Sequence, residues 1–302
     1  MESKARAMLM AAFAADALAM PVHWVYDTSK LAKEFGRVDH FLEPPKGSYH
    51  FGKTSGQFTH YGDQMLVLLE SVAACRGFHL DDFARRWREL FADYRGYVDK
   101  ATKATLENLA RGASPVEAGS SSNDLAGASR MVPLVLCYQD DLDALIEAAQ
   151  LQTRMTHNHP EVIASAKFFA QVLWMTLHGH SPSDAMEKVG ADIEMGSPLK
   201  TWLETAREHG PQDSVSAIAE LGQTCHAPHA FRAVVQLLIR HEGNLVEALV
   251  ENVMAGGDSA ARGILVAAVL AAHHGWDAIP GKWIAELMSR DHLSMLASAF
   301  ET

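Results

Sequence analysis

The stretch Ala255-Gly256-Gly257-Asp258-Ser259-Ala260-Ala261-Arg262-Gly263 runs straight into an apolar segment, Ile264 to Ala272. Two glycines allow backbone to approach something closely, and an aspartate follows at once. The apolar segment reads as a buried helix, so Asp258 stands where unpaired N–H groups and the positive end of a helix dipole gather. Two readings fit. Asp258 is the cap of a helix entered through a tight turn, or it belongs to a site for a charged ligand, a metal or a sugar phosphate.

Outward from this point, helical periodicity dominates. It predicts helices over 7–18, 64–75, 80–94, 97–111, 142–153, 160–178, 183–189, 199–207, 213–221, 230–242, 245–254, 258–273 and 282–289. Alternating Val, Ile and Thr runs are nearly absent. Residues 28–59, with Pro44, Pro45 and scattered aromatics, read as a long ordered loop holding at most a short strand pair or a helical turn. Residues 112–123 form a second loop, rich in Gly and Ser. The expected fold is all-α, one compact multi-helix domain over residues 1–302.

Composition limits the function. A 302-residue chain that is 48% hydrophobic can build a sizeable core. A net charge of -11 leaves no basic stripe for nucleic acid. No run of 18 apolar residues argues for a membrane span. Lys4 and Arg6 before Ala7 to Ala15 mimic a secretory signal, but Asp16 interrupts the pattern, and the segment reads as the first core helix. Three scattered cysteines, Cys75, Cys137 and Cys225, give no disulfide framework and suit a reducing cytoplasm.

Five polar junctions lie beside apolar helices. They are Asp16 to Asp27, which includes His23 and Trp24; Gln57 to Met65, which includes His60, Tyr61, Gly62 and Asp63; Gly119 to Asp124, with Asn123 and then Arg130; Thr156 to Pro160, with His157; and the Gly-Gly-Asp segment itself. A packed core needs none of them, so they are expected to line one pocket gathered from helix ends. His157 and His159 also read as a helix start. Cys225-His226-Ala227-Pro228-His229 reads as a loop before a helix, since no partner cluster has ligand spacing.

The order of these junctions resembles the ADP-ribosylglycohydrolase superfamily. Ala15-Asp16-Ala17-Leu18-Ala19-Met20-Pro21-Val22-His23 is similar to its Gly-Asp-Ala-Leu-Gly-x-Pro-x-Glu segment, and His60 to Met65 to its Thr-Asp-Asp-Thr-x-Met segment. Thr156-His157 matches a Thr-His loop, and Gly256 to Ala261 its Gly-Gly-Asp-Thr-Asp-Ser. His23-Trp24-Val25-Tyr26-Asp27, Tyr61-Gly62-Asp63-Gln64, Gly96 to Lys103 and Asp258 to Arg262 resemble a branch that includes the J-type lens crystallins and selenoprotein J.

The resemblance implies hydrolysis at ribose in an ADP-ribosyl or phosphorylated ribosyl compound, with two magnesium ions held by acidic motifs. Tyr61, Gly62, Ala260 and Ala261 stand where that pair needs oxygen donors, so no dinuclear site is expected; at most a single Mg shared by Asp63 and Asp258. The expected catalytic residues are His23, Asp63 and Asp258. The expected substrate-binding residues are Asp16, Asp27, Tyr61, Gly62, Asn123, Asp124, His157 and Arg262. Arg262 lies one helical turn after Asp258 and suits a phosphate. The alternative is a crystallin-like binding or structural protein that keeps the pocket without the chemistry. Either way the expected partner is a small molecule, with no nucleic acid and no membrane.

Overall fold

Helices follow the apolar spacing through residues 2–300, the range that the computed structural model describes. They are α1 (Lys4–Ala19), α2 (Thr28–Phe35), α3 (His60–Cys75), α4 (Leu80–Ala92), α5 (Lys100–Ala110), the single turns α6 (Ala126–Ser129) and α7 (Leu134–Cys137), α8 (Leu142–Arg154) and α9 (Pro160–Leu177). Then come α10 (Pro182–Ala191), α11 (Pro198–His209), α12 (Ser214–Leu221), α13 (Ala227–Arg240), α14 (Leu245–Met254), α15 (Ser259–His274), α16 (Gly281–Glu286) and α17 (Arg290–Ala297). The fold is all-α. Among the described residues only isolated bridges stand in for strands, and the pair expected in 28–59 reduces to Phe51 with Lys53.

Side-chain caps set where several helices begin. Asp27, Thr59, Asp99, Asp141, Ser181, Asp213, Asn244 and Asp258 each accept a backbone N–H of the first turn that follows. Three of them explain differences from the sequence reading. Asp27 starts α2 inside the expected loop, Thr59 starts α3 four residues before 64, and Asp99 delays α5 from 97 to Lys100. Residues 282–289 divide into all but the first residue of α16 and the approach to α17, a helix the periodicity did not show.

α1 packs on α15, and nearly every residue of both is buried. Alanines on both faces and Gly263 beside Ala15 let the two axes approach closely. Residues 4–22 reach the length and hydropathy of a membrane span although Lys4, Arg6 and Asp16 interrupt the apolar run; their window is 94% buried inside the protein, as the core role of α1 requires. α9, α13 and α14 complete the shell around α15. The N-terminus of α15 is thereby held deep in the fold, where the polar junctions meet.

Candidate active site

The two glycines of the opening stretch bring together the chain at 23–25 and the chain at 223. Gly256 and Gly257 take φ of +67° and +66°, and a Cβ on them would lie 2.5 Å from the Val25 carbonyl oxygen and 2.1 Å from that of Gln223. In their place run backbone hydrogen bonds: Gly257 N–H to Val25 O (2.8 Å), Trp24 N–H to Gly257 O (2.8 Å) and Asp258 N–H to Gln223 O (2.9 Å). Arg262 locks this clamp. Its guanidinium donates to Asn252 Oδ1 (3.1 Å), Asn252 O (3.3 Å), Gln223 O (3.3 Å) and Gly256 O (2.6 Å). It is fully buried. The expected role of Arg262 as a phosphate ligand is therefore corrected: all three of its nitrogens are spent on the protein.

Asp258 is both cap and site residue. Oδ1 faces the N–H of Ala261 (3.4 Å), while Oδ2 accepts from Trp24 Nε1 (3.2 Å) and from the Tyr61 hydroxyl (3.2 Å). That hydroxyl also lies 3.4 Å from Asp124 Oδ2. Residues 123–125 pair with 225–227 through Leu125 N–H to Cys225 O (2.9 Å) and Ala227 N–H to Asn123 O (2.7 Å). This places Cys225 beside the two carboxyls, with one ligand atom of each residue within 4.8 Å of the others. Cys225 is thus part of the cluster while lying in the loop before α13, the place the sequence reading gives it, although α13 already begins at Ala227. Its signal was spatial only: its acidic partners come from two distant junctions.

Burial, and then the charge of Asp258, pushes the Asp124 carboxyl well above its usual range. Burial also raises Asp258, against the opposing charge of Arg262. Burial followed by both carboxyls raises the Tyr61 phenol, and the same causes raise the Cys225 thiol. A phenol carries one proton and here faces two carboxyl oxygens. Asp258 Oδ2 already takes a second donor, the Trp24 indole. The arrangement closes when Asp258 is ionised and Asp124 is the neutral acid that donates to the phenol oxygen.

Asp124 opens on a pocket of about 360 Å³ walled by Trp24, Tyr26, Tyr49, Tyr97, Cys225 and His226, with Lys100 and Ala101 of α5 also lining it. Trp24, Tyr49 and Tyr97 stand nearly perpendicular to one another, at 84°, 77° and 81°, with centroids 4.7–5.1 Å apart. Behind them His23, His50 and His60 are packed ring to ring. His23 is buried, with Nδ1 4.0 Å from Asp258 Oδ1, and burial followed by its histidine neighbours holds it neutral. Asp99 lies 3.3 Å from His60 Nε2; burial pushes it up, but that histidine and the Thr102 N–H hold it well below the carboxylate range.

The structure does not gather the other expected residues here. Asp16 is fully buried and accepts from the Thr59 N–H (2.7 Å) and hydroxyl (2.6 Å), so it anchors α3 on α1 and is closed to ligands. Gly62 is a packing requirement, since a Cβ would lie 2.3 Å from Asp16 Oδ2. Asp63 Oδ2 accepts from Lys53 Nζ and from the Tyr94 hydroxyl, both at 2.5 Å, and belongs to a different cluster from Asp258. Asp27 is an exposed cap. Asn123 orients His226 (Oδ1 to Nδ1, 2.6 Å). His157 is buried over Gly127, with Nδ1 2.8 Å from the Thr156 hydroxyl. Tyr49 and His50 line the site though no motif marks them, because their place depends on loop packing, whereas Tyr97 belongs to the Gly96 to Lys103 segment and Cys225 to the segment before α13.

Residues 1–302 match the ADP-ribosylglycohydrolase family, and the chain belongs to that family. It is 27% identical to Crystallin J1B of Tripedalia cystophora, over 95% of this chain and 92% of that one. It is 28% identical to a protein of Archaeoglobus fulgidus, over 99% and 96%. A solved structure described as an ADP-ribosylglycohydrolase-related protein complex superposes with a TM-score of 0.75 at 25% identity, covering 98% of both chains.

Proposed function

We propose that this protein hydrolyses a glycosidic or N-glycosidic bond to ribose in an ADP-ribosyl or phosphorylated ribosyl compound, with Asp124 as the acid. The carrying observation is the single Tyr61 hydroxyl between the Asp124 and Asp258 carboxyls at 3.4 and 3.2 Å. A neutral Asp124 at the pocket wall delivers its proton to the leaving atom as the bond to the anomeric carbon breaks. The ionised Asp258 behind Tyr61 stabilises the positive charge that develops on the sugar. The Asp124 carboxylate then takes a proton from the attacking water, which restores the acid. The aromatic corner of Trp24, Tyr49 and Tyr97 suits the flat face of a base or leaving group.

The family's pair of magnesium ions does not fit these donors. Asp63 is neutralised by Lys53, Tyr61 is a phenol held protonated, and Gly62, Ala260 and Ala261 offer no ligating side chain. Nor do Asp63 and Asp258 fit a single shared ion, because each is committed to its own partners. The proposed chemistry uses side chains alone.

The test is a panel of ADP-ribosylated peptides, ADP-ribose derivatives and ribonucleosides, assayed with and without magnesium. Turnover that Asp124→Asn reduces by about a hundredfold or more supports the reading. No turnover by the wild-type protein on any member, with ADP-ribose still bound, replaces it with a binding or structural role like that in the name of the crystallin relative.

A further inference from the structure

His226 shares the wall of the aromatic pocket with Asp124. The two residues face each other as an isolated antiparallel pair. The hydrogen bonds run on either side of that pair, from Leu125 N–H to Cys225 O and from Ala227 N–H to Asn123 O. The pair is therefore of the non-hydrogen-bonded kind, in which the Cα atoms come to about 4.5 Å and both side chains leave the backbone on one face. Asn123 then fixes the ring. Its Oδ1, which only accepts, lies 2.6 Å from His226 Nδ1. The proton of the neutral imidazole thus sits on Nδ1, and Nε2 carries a lone pair. No hydrogen bond or ion pair among the described residues occupies Nε2. The ring is exposed, and it does not cap α13. A carboxyl and a lone pair of fixed tautomer stand side by side on one wall.

We propose that His226 positions the attacking water: its Nε2 and the Asp124 carboxylate hold the two protons of that water and aim its oxygen at the anomeric carbon. The inference rests on the hydrolase reading and deepens it. First the Asp124 proton passes to the leaving atom as the bond to the anomeric carbon breaks. The carboxylate so formed and Nε2 are then both acceptors, and a water has one O–H for each. As the water oxygen bonds to the anomeric carbon, one proton returns to Asp124. The other stays on the new sugar hydroxyl, still donated to Nε2. An alcohol has a single O–H, so it satisfies Asp124 and leaves Nε2 empty. The pair therefore favours water over methanol. Holding both hydrogens in advance removes an orientational cost from the step.

The experiment joins two measurements on the full chain. Nitrogen-15 spectra of histidine-labelled protein read the tautomer, with His226→Gln assigning the signal. His226 is expected in the Nδ1–H form, and Asn123→Ala is expected to release it. Turnover of ADP-ribosylated peptides, ADP-ribose derivatives and ribonucleosides is then followed in methanol–water mixtures. His226→Phe is expected to lower kcat by about tenfold to a hundredfold and to keep KM within about twofold. It is also expected to raise the ratio of methyl riboside to free sugar by about tenfold, the weight of one hydrogen bond. His226→Gln, whose carbonyl oxygen accepts, is expected to recover part of both effects. Because the ring is exposed, both variants are expected to melt with the wild type. An Nε2–H tautomer in the wild type overturns the inference. Wild-type turnover with a product ratio indifferent to His226→Phe removes the water role and keeps the hydrolase reading. No wild-type turnover on any of the three substrate classes removes both.

Discussion

Asp63 shares one carboxylate oxygen between the Lys53 ammonium and the Tyr94 hydroxyl, and that makes it a brace for the segment at 50–57. Asp63→Asn is expected to lower stability by about 1–3 kcal/mol, the range for a charge-assisted bond in a partly buried setting. Urea unfolding of the variant reads the effect, and unchanged stability counts against the brace. The histidines give a second expectation at this scale. His50 and His157 are pushed down to about 3, chiefly by burial, and His23 also falls well below 6.5. The unfolded chain then binds protons that the folded chain refuses, so this stability is complete above pH 6.5 and is lost as the pH falls toward 3. Asp16, raised by burial to about 6, works in the opposite sense between 3.8 and 6. Asp124 and Asp258, raised by burial, act with Asp16, while His229, His241 and His273, lowered by burial, act with the other histidines, so the histidines prevail and the unfolded chain takes up protons in that window. Urea midpoints taken stepwise from pH 7 to pH 4.5 should decline; a flat series contradicts the assignment.

At the scale of elements, the first turn of α3 shows how a helix end is committed to the core. Thr59 caps the helix by accepting the Tyr61 N–H (3.0 Å), while Asp16 of α1 holds Thr59 through its N–H and its hydroxyl. Gly62 fits over Asp16 because it has no side chain: a Cβ would meet Asp16 Oδ2 at 2.3 Å and Phe58 Cβ at 2.7 Å. Gly62→Ala is thus expected to destabilise by about 1–3 kcal/mol despite the better helix propensity of alanine, as overpacking does in a closed core. The check is chemical denaturation, and a variant as stable as wild type means that α1 and α3 can separate at no cost. Asp16 and Gly62 were legible as motif residues. Their role was not, because a carboxylate at a helix end looks the same in sequence whether it faces a ligand or a neighbouring cap.

For the whole molecule, Arg262 is the residue on which distant segments converge. It ties α15 to Asn252 of α14, to Gly256 and to Gln223, and the loops so held carry Trp24 and Cys225 into the pocket. Arg262→Met is expected to cost about 3–5 kcal/mol, since it leaves Asp258 buried without its cation and several carbonyls without donors. Arg262→Lys retains the charge but not the fork, and should restore only part of the stability. The measurement is thermal unfolding beside ADP-ribose binding. Both properties should fall together. A variant that weakens ligand binding and melts like wild type would restore Arg262 as a phosphate ligand.

The all-α architecture was determined by sequence, because helix periodicity, caps and buried apolar runs are local properties that α1, α9 and α15 carry in their own residues. The junctions at 16–27, 57–65, 119–124 and 256–262 were likewise visible as polar residues that a core does not need. Tertiary structure decided which of those residues meet. Asp124, Cys225 and Asp258 converge because the 123–125 and 225–227 backbones pair and Gly256-Gly257 let the 23–25 segment close on them. Asp16 and Asp63 carry the same carboxyl as Asp124 and Asp258, and Arg262 is a cation in the same motif as Asp258, yet each is consumed by a partner that only the packed fold supplies. Burial and pairing are relations between distant residues, and a carboxylate or guanidinium serves a ligand only where the chain leaves it a free atom and an open wall.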